Sequence, residues 1–252
     1  MTALDLTPTG APAAAARGQQ VWAHALTEAR LTLRNGEQLI LALVIPIALL
    51  VAGRFLGPRV GLDFPALAAS VLGLAAWSTC FTSLAISTGF ERRYGVLERL
   101  IGTPLRRGGL LVGKAISVAL LTLGQAAVLL VVALVLGWRP APHPLQVLIA
   151  LACFLLAMLT FAGLGLALGG SLRAEATLGL ANLVYLGGLA APGLLYPAPA
   201  GWGALNWLPW GALGDALRAL NTSTIVWTPL IVLPVTAAAA LLLARKVFRW
   251  TS

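Results

Sequence analysis

Gly108, Gly113 and Lys114 stand at the spacing G-x-x-x-x-G-K, the opening of a phosphate-cradling loop. That loop needs a hydroxyl next in line to hold magnesium, and it follows a strand in an α/β domain. Ala115 occupies the hydroxyl's place, and the segment runs into an apolar stretch instead of out of a strand. No ATP or magnesium site is therefore expected in this chain. His24 and His143 are isolated, with no partner at metal or triad spacing, and are expected to be solvated surface side chains. Cys80 and Cys153 both fall within apolar runs, and no histidine cluster lies near them. They are expected to be small packing residues, neither a disulfide nor a metal site.

The charge that remains is concentrated. Gly89 to Lys114, GFERRYGVLERLIGTPLRRGGLLVGK, holds six of the seventeen basic residues and two of the eight acidic ones. Residues 90–104 read as a helix. Glu91, Arg92, Gly95, Glu98 and Arg99 form its charged side, and Val96, Leu97, Leu100 and Ile101 its apolar side. Thr103-Pro104 ends it, because proline disfavours helix at the residue before it. A charged patch of this density in an otherwise apolar chain is where a soluble partner would push or pull.

The elements that must position this patch are membrane helices. The chain is 59% hydrophobic and 10% charged, with a mean hydropathy of +0.91; soluble domains carry about 25% charged residues. A helix needs roughly 20 apolar residues to cross a hydrocarbon core of ~30 Å. Six runs qualify, at about 39–56, 66–88, 110–136, 145–169, 177–195 and 224–243. The expected fold is thus an all-α integral membrane domain, since helices satisfy their own backbone in lipid and open sheets cannot. With the N-terminus inside, thirteen basic residues fall in inside segments, against four outside: Arg54, Arg59, Arg139 and Arg218. That asymmetry predicts two cytoplasmic termini. The net charge of +9 follows from topology and contact with anionic lipid, and calls for no nucleic acid. Arginine outnumbers lysine fifteen to two, a coding bias that points to a high-GC bacterium and so to its plasma membrane.

The remaining segments have distinct characters. Residues 1–20, rich in Ala, Pro and Thr, lack the pattern of a signal peptide and are expected to be a disordered cytoplasmic tail. Over 21–38, Trp22, Leu26, Ala29 and Leu33 share one helical face, which predicts an amphipathic helix at the membrane surface. Pro46 is expected to kink or loosen the first span. The second span carries hydroxyls from Ser70 to Thr88, and the fourth ends in Gly163, Gly165, Gly169 and Gly170. Both patterns suit close helix packing. Between the last two spans, Trp202, Trp207 and Trp210 flank two helical pieces broken at Pro209, read as a re-entrant pair on the outer side. Asp215 and Arg218 are spaced to pair within it. No Asp, Glu or His falls mid-membrane, which counts against a proton-coupled carrier. A self-contained carrier or channel using backbone carbonyls remains the alternative, its polar second-span residues lining the path.

ERRYGVLERLIGTPLRRGGLLVGK resembles the cytoplasmic motif of type-2 ATP-binding-cassette (ABC) permeases of the daunorubicin-exporter-like group. Glu91, Arg92, Gly95, Leu97, Glu98, Leu100, Thr103, Pro104 and Leu105 carry the match. A looser one follows in Pro199, Trp202, Leu208-Pro209 and Asp215-Ala216-Leu217-Arg218. The resemblance implies an exporter of amphipathic drugs, antibiotics or lipid-like compounds. Two permease subunits, as a homodimer or with a sister permease, would form the pathway. Two cytoplasmic ATPase subunits would bind ATP and magnesium. Residues 90–104 would be the coupling helix, with Glu91, Arg92, Glu98 and Arg99 giving charge complementarity and Leu97 and Leu100 anchoring it. Residues 21–38 would be the elbow helix, and the re-entrant pair with Trp202, Pro209, Asp215 and Arg218 would cap the outer end.

Overall fold

The computed structural model describes residues 15–222 and 224–250, the side chains of 36–39 and 41 excepted. The tail expected over 1–20 lies outside them as far as residue 14. All regular elements described are helical: α1 (Arg17–Arg34), α2 (Gly36–Phe55), α3 (Phe64–Ala76), α4 (Leu84–Arg93), α5 (Val96–Ile101), α6 (Arg106–Val135), α7 (Pro144–Ser171), α8 (Ala174–Ala190), α9 (Pro209–Arg218) and α10 (Thr228–Val247). A π-helical turn, Trp77–Ser83, joins α3 to α4, so Phe64–Arg93 is one continuous rod of 30 residues.

Among the described residues, four helices are long and apolar enough to cross a membrane: Phe64–Arg93, α6, α7 and α10. The spans expected at 39–56 and 177–195 fall on α2, whose described apolar stretch is Ala42–Phe55, and on α8 of 17 residues. At ~1.5 Å per residue, α8 reaches roughly 25 Å. It stops at Ala190, short of the expected Leu195, because residues 191–195 turn inward and bury Leu194. The first helix begins at Arg17, inside the expected tail, and ends at Arg34, with Asn35 breaking it from α2.

Phe64–Arg93 is the central rod: 78% of its apolar window is buried, against 22% for α6. Around it, α7 lies along α4 and the π turn, α10 lies along α7, α9 crosses α3, and α1 lies on α6. The core centres on Trp77, which meets Phe161 edge-on at 4.8 Å and Trp210 at 5.6 Å between ring centroids. Cys80 and Cys153 are free thiols within this core.

Polar side chains inside the bundle serve backbone groups that helices alone leave open. Proline at 46 removes the N–H that would bond the carbonyl of Ala42. That carbonyl instead accepts a hydrogen bond from Gln125 Nε2 of α6 at 2.7 Å, and Gln125 Oε1 accepts one from Thr79 Oγ1 at 2.8 Å. His143 caps α7 reciprocally with Gln146: His143 Nδ1 accepts from the Leu145 N–H, and Gln146 Oε1 from the His143 N–H. His143 is therefore a helix cap and not merely a solvated side chain.

Candidate functional site

Three consecutive charged residues end α4, and each reaches a different neighbour. Glu91 pairs with Lys114 of α6, whose Nζ lies 2.6 Å from Oε1 and 2.5 Å from Oε2. Lys114 also meets Glu28 of α1 at 3.2 Å. Its side chain is only 2% exposed, against 25% for Glu28 and 21% for Glu91. Arg92, buried, donates to the carbonyls of Gly169 and Leu172 at 2.9 and 3.2 Å and so closes the C-terminal end of α7. Arg93 pairs with Glu175 at the start of α8. One turn of helix thus ties α4 to α1, α6, α7 and α8.

This arrangement corrects the expected helix over 90–104. Glu91 and Arg92 belong to α4 and turn inward, because the burial of Lys114 and of the α7 terminus demands partners there. Tyr94 ends α4, and Gly95, with φ +67°, turns the chain into α5 through a conformation that favours glycine. Leu97 is 1% exposed and Leu100 packs against the same core, so both anchor α5 to its own protein. Glu98, Arg99, Thr103 and Pro104 are exposed, together with Tyr94, Arg106 and Arg107. Thr103 Oγ1 donates to the Leu100 carbonyl at 2.6 Å and closes the turn. The outward charged face is therefore shorter than the motif, and half of the motif's charges hold the loop's base.

The GK pair at 113–114 has a packing explanation. A Cβ on Gly113 would lie 2.5 Å from His24 Cδ2, so glycine lets α1 lie close on α6. Ala25 and Ala29 are the buried residues of α1, while Trp22 and Leu33 on nearly the same stripe are exposed. Burial holds His24 below its ordinary range, Glu28 opposing and Lys114 adding to the shift, so the imidazole is neutral near pH 7.

At the opposite end of the rod, Arg218 organises the Trp-rich segment. It pairs with Asp215 at 2.7 Å and donates to Ser70 Oγ and to the carbonyls of Leu194 and Gly193. Pro209 starts α9, and Trp202 is 59% exposed. Only Asp215 and Arg218 of these four form a polar cluster. Arg218→Met is expected to destabilise the protein by about 3–5 kcal/mol, because two buried carbonyls and Asp215 lose their donor. Arg218→Lys should recover less than half of that, since a point charge cannot fork across both carbonyls. Thermal unfolding in detergent checks this; a Met variant as stable as the parent overturns it.

Two contributors escaped sequence reasoning. Gln125 is an isolated amide in an apolar span, and its signal was Pro46 in a neighbouring span. The Glu28–Lys114–Glu91 cluster joins residues 86 and 23 positions apart in sequence, and no local spacing encodes it. Among the described residues, no group of three or more His, Cys, Asp or Glu is placed to hold a metal.

A bundle of long apolar helices with a charged junction at one end fits a membrane domain. The profile of the ABC-2 type transporter family matches residues 19–213, from α1 to the middle of α9. The chain belongs to that family: it is a multi-pass membrane protein and the permease component of an ABC transporter, not its ATPase. No match was found among the curated proteins.

Proposed function

We propose that this chain is the pathway-forming subunit of an ATP-driven exporter of amphipathic compounds, of the daunorubicin-exporter-like group. In this reading it pairs with a second permease subunit, identical or a sister, and two ATPase subunits supply ATP hydrolysis. Six helices span a bacterial plasma membrane, α8 being the shortest, with α1 as the elbow at the inner surface. Both termini and α5 are cytoplasmic, as the thirteen-to-four distribution of basic residues favours. The Trp-rich segment with Arg218 caps the outer end.

The observation that carries this reading is the pairing of an exposed face with an anchored base. Glu98, Arg99, Thr103 and Pro104 are accessible to a cleft on an ATPase, while Glu91, Arg92 and Arg93 tie the same loop to four helices. A rigid-body push on α5 therefore reaches the bundle at once. Charge reversal on the exposed face, Glu98→Lys with Arg99→Glu, should release a co-purifying ATPase and leave folding intact, because exposed charges contribute docking more than stability. The check is a gentle-detergent pull-down with an ATPase assay of the eluate. Unchanged co-purification overturns the docking face. Solute movement by the chain alone in liposomes overturns the exporter reading in favour of a self-contained carrier or channel.

A further inference from the structure

A cleft of about 840 Å³ lies between α1, α2, α4 and α6. Single small molecules occupy pockets of roughly 300–1,000 Å³. The cleft is built as an amphiphile is built. One end carries Glu28, Lys114 and Glu91; Leu43, Leu121, Val128 and other apolar side chains line most of the rest, with hydroxyls of Ser83, Ser87 and Ser117 among them. Gly124 and Val128 of its lining are exposed on α6.

The charges at the closed end are unbalanced. Two carboxylates share one buried ammonium, so the cluster holds one base for two acids. Arg30, the other charged residue of the lining among those described, is exposed, and solvent and salt screen it. His24 beside the cluster is neutral. Lys114 donates to Glu91 Oε1 and to Glu28 Oε2, and Glu91 Oε2 lies 2.5 Å from the same nitrogen, so one ammonium serves both carboxylates. The amide and hydroxyl deeper in the wall, Gln125 and Thr79, are occupied by each other and by the Ala42 carbonyl. Among the described residues, no second cation stands next to the carboxylates.

We infer that this cleft binds a single amphiphile with a primary ammonium headgroup, the ammonium seated against Glu28 and Glu91 and the hydrocarbon tail along Leu43, Leu121 and Val128. A primary ammonium supplies three short charge-assisted donors and restores the balance of two acids with two bases. The tail exchanges bilayer for protein contacts, so the headgroup decides selectivity. An amine-headed phospholipid of the bilayer and a free long-chain amine share this chemistry. From the proposed function the inference takes only the placement of α1 at the membrane surface, and it needs no ATPase.

The test is photolabelling of the full-length chain in phosphatidylglycerol nanodiscs with a diazirine-bearing long-chain primary amine. The matched alkyl sulfate is the comparison probe. The amine is expected to label peptides of α2 and α6, and Glu28→Gln should weaken labelling about tenfold, as for a lost charge-assisted contact. Leu121→Trp fills the tail end, leaves every charge in place, and should block labelling too. Thermal unfolding of both variants separates loss of binding from loss of fold. Phosphatidylethanolamine in the nanodisc that competes the label away makes the bilayer lipid the occupant; labelling that survives it makes the free amine the occupant. Equal labelling by the sulfate, or labelling that neither variant reduces, overturns the inference. Neither result bears on ATPase co-purification, so failure here is distinct from failure of the exporter reading.

Discussion

Lys114→Met is expected to be the most damaging single substitution in the chain. Methionine fills the space of the lysine stem but leaves Glu28 and Glu91 facing each other with no cation between them. Removing one member of a buried ion cluster costs about 3–5 kcal/mol, chiefly because the surviving charge stays desolvated and unpaired. Here two like charges survive, so the upper part of that range applies. The cluster lies between α1 and the bundle, and the close approach of Gly113 to His24 is the neighbouring contact. Detachment of α1 should accompany the loss, read as new proteolytic cleavage near Asn35 and a lower unfolding temperature in detergent. The triple variant Glu28→Gln, Glu91→Gln, Lys114→Met removes all three charges together and should recover most of the stability. A Lys114→Met protein that unfolds with the parent would falsify the cluster's structural role.

The second large effect is expected at Gly169. A Cβ there would lie 2.4 Å from the carbonyl oxygen of Ala85 and 3.0 Å from Thr88 Cβ. Four residues earlier, a Cβ on Gly165 would lie 2.8 and 2.9 Å from the carbonyls of Phe81 and Cys80. These two glycines form the seam along which α7 touches the rod backbone to backbone, as small residues do between membrane helices. The obstacle is main chain and not a side chain that can swing aside. Overpacking typically costs about 1–3 kcal/mol, and Gly169→Leu should exceed that by forcing the whole seam apart. Arg92, which bonds the Gly169 carbonyl, would lose its seat as well. Gly179 of α8 meets nothing within 4 Å of an added Cβ, so Gly179→Ala is the control. It should leave the unfolding temperature unchanged or raise it, since alanine favours helix by ~1 kcal/mol. A Gly169→Leu variant that matches this control overturns the seam.

Much of this was legible in the sequence. Hydrophobic run length marks each of the long spans, because lipid forbids any other way to satisfy the backbone. The glycines of the fourth span and the Asp215–Arg218 spacing pointed to contacts that the structure contains. The charged segment was legible as an element but not in its sides. A helical wheel over 90–104 assumes one continuous helix, and Gly95 ends that assumption by turning the chain. Glu91 and Arg92 then follow the phase of the preceding rod. Nor does any local rule foretell that Lys114 finds acids on two other helices, since that depends on how α1 folds back.

The π-helical turn at Trp77–Ser83 carries a consequence for how this rod tolerates changes of length. A π turn holds one residue more than an α-helical turn in the same place. Removing one residue between Trp77 and Ser83 would restore ordinary helix and leave both halves of the rod facing their present neighbours. The same deletion two turns further on, in α4, would rotate everything after it by about 100°. Glu91, Arg92 and Arg93 would then swing away from Lys114, the α7 terminus and Glu175 together. Insertions and deletions in relatives of this chain are therefore expected to gather at the π turn and to spare the helix below it.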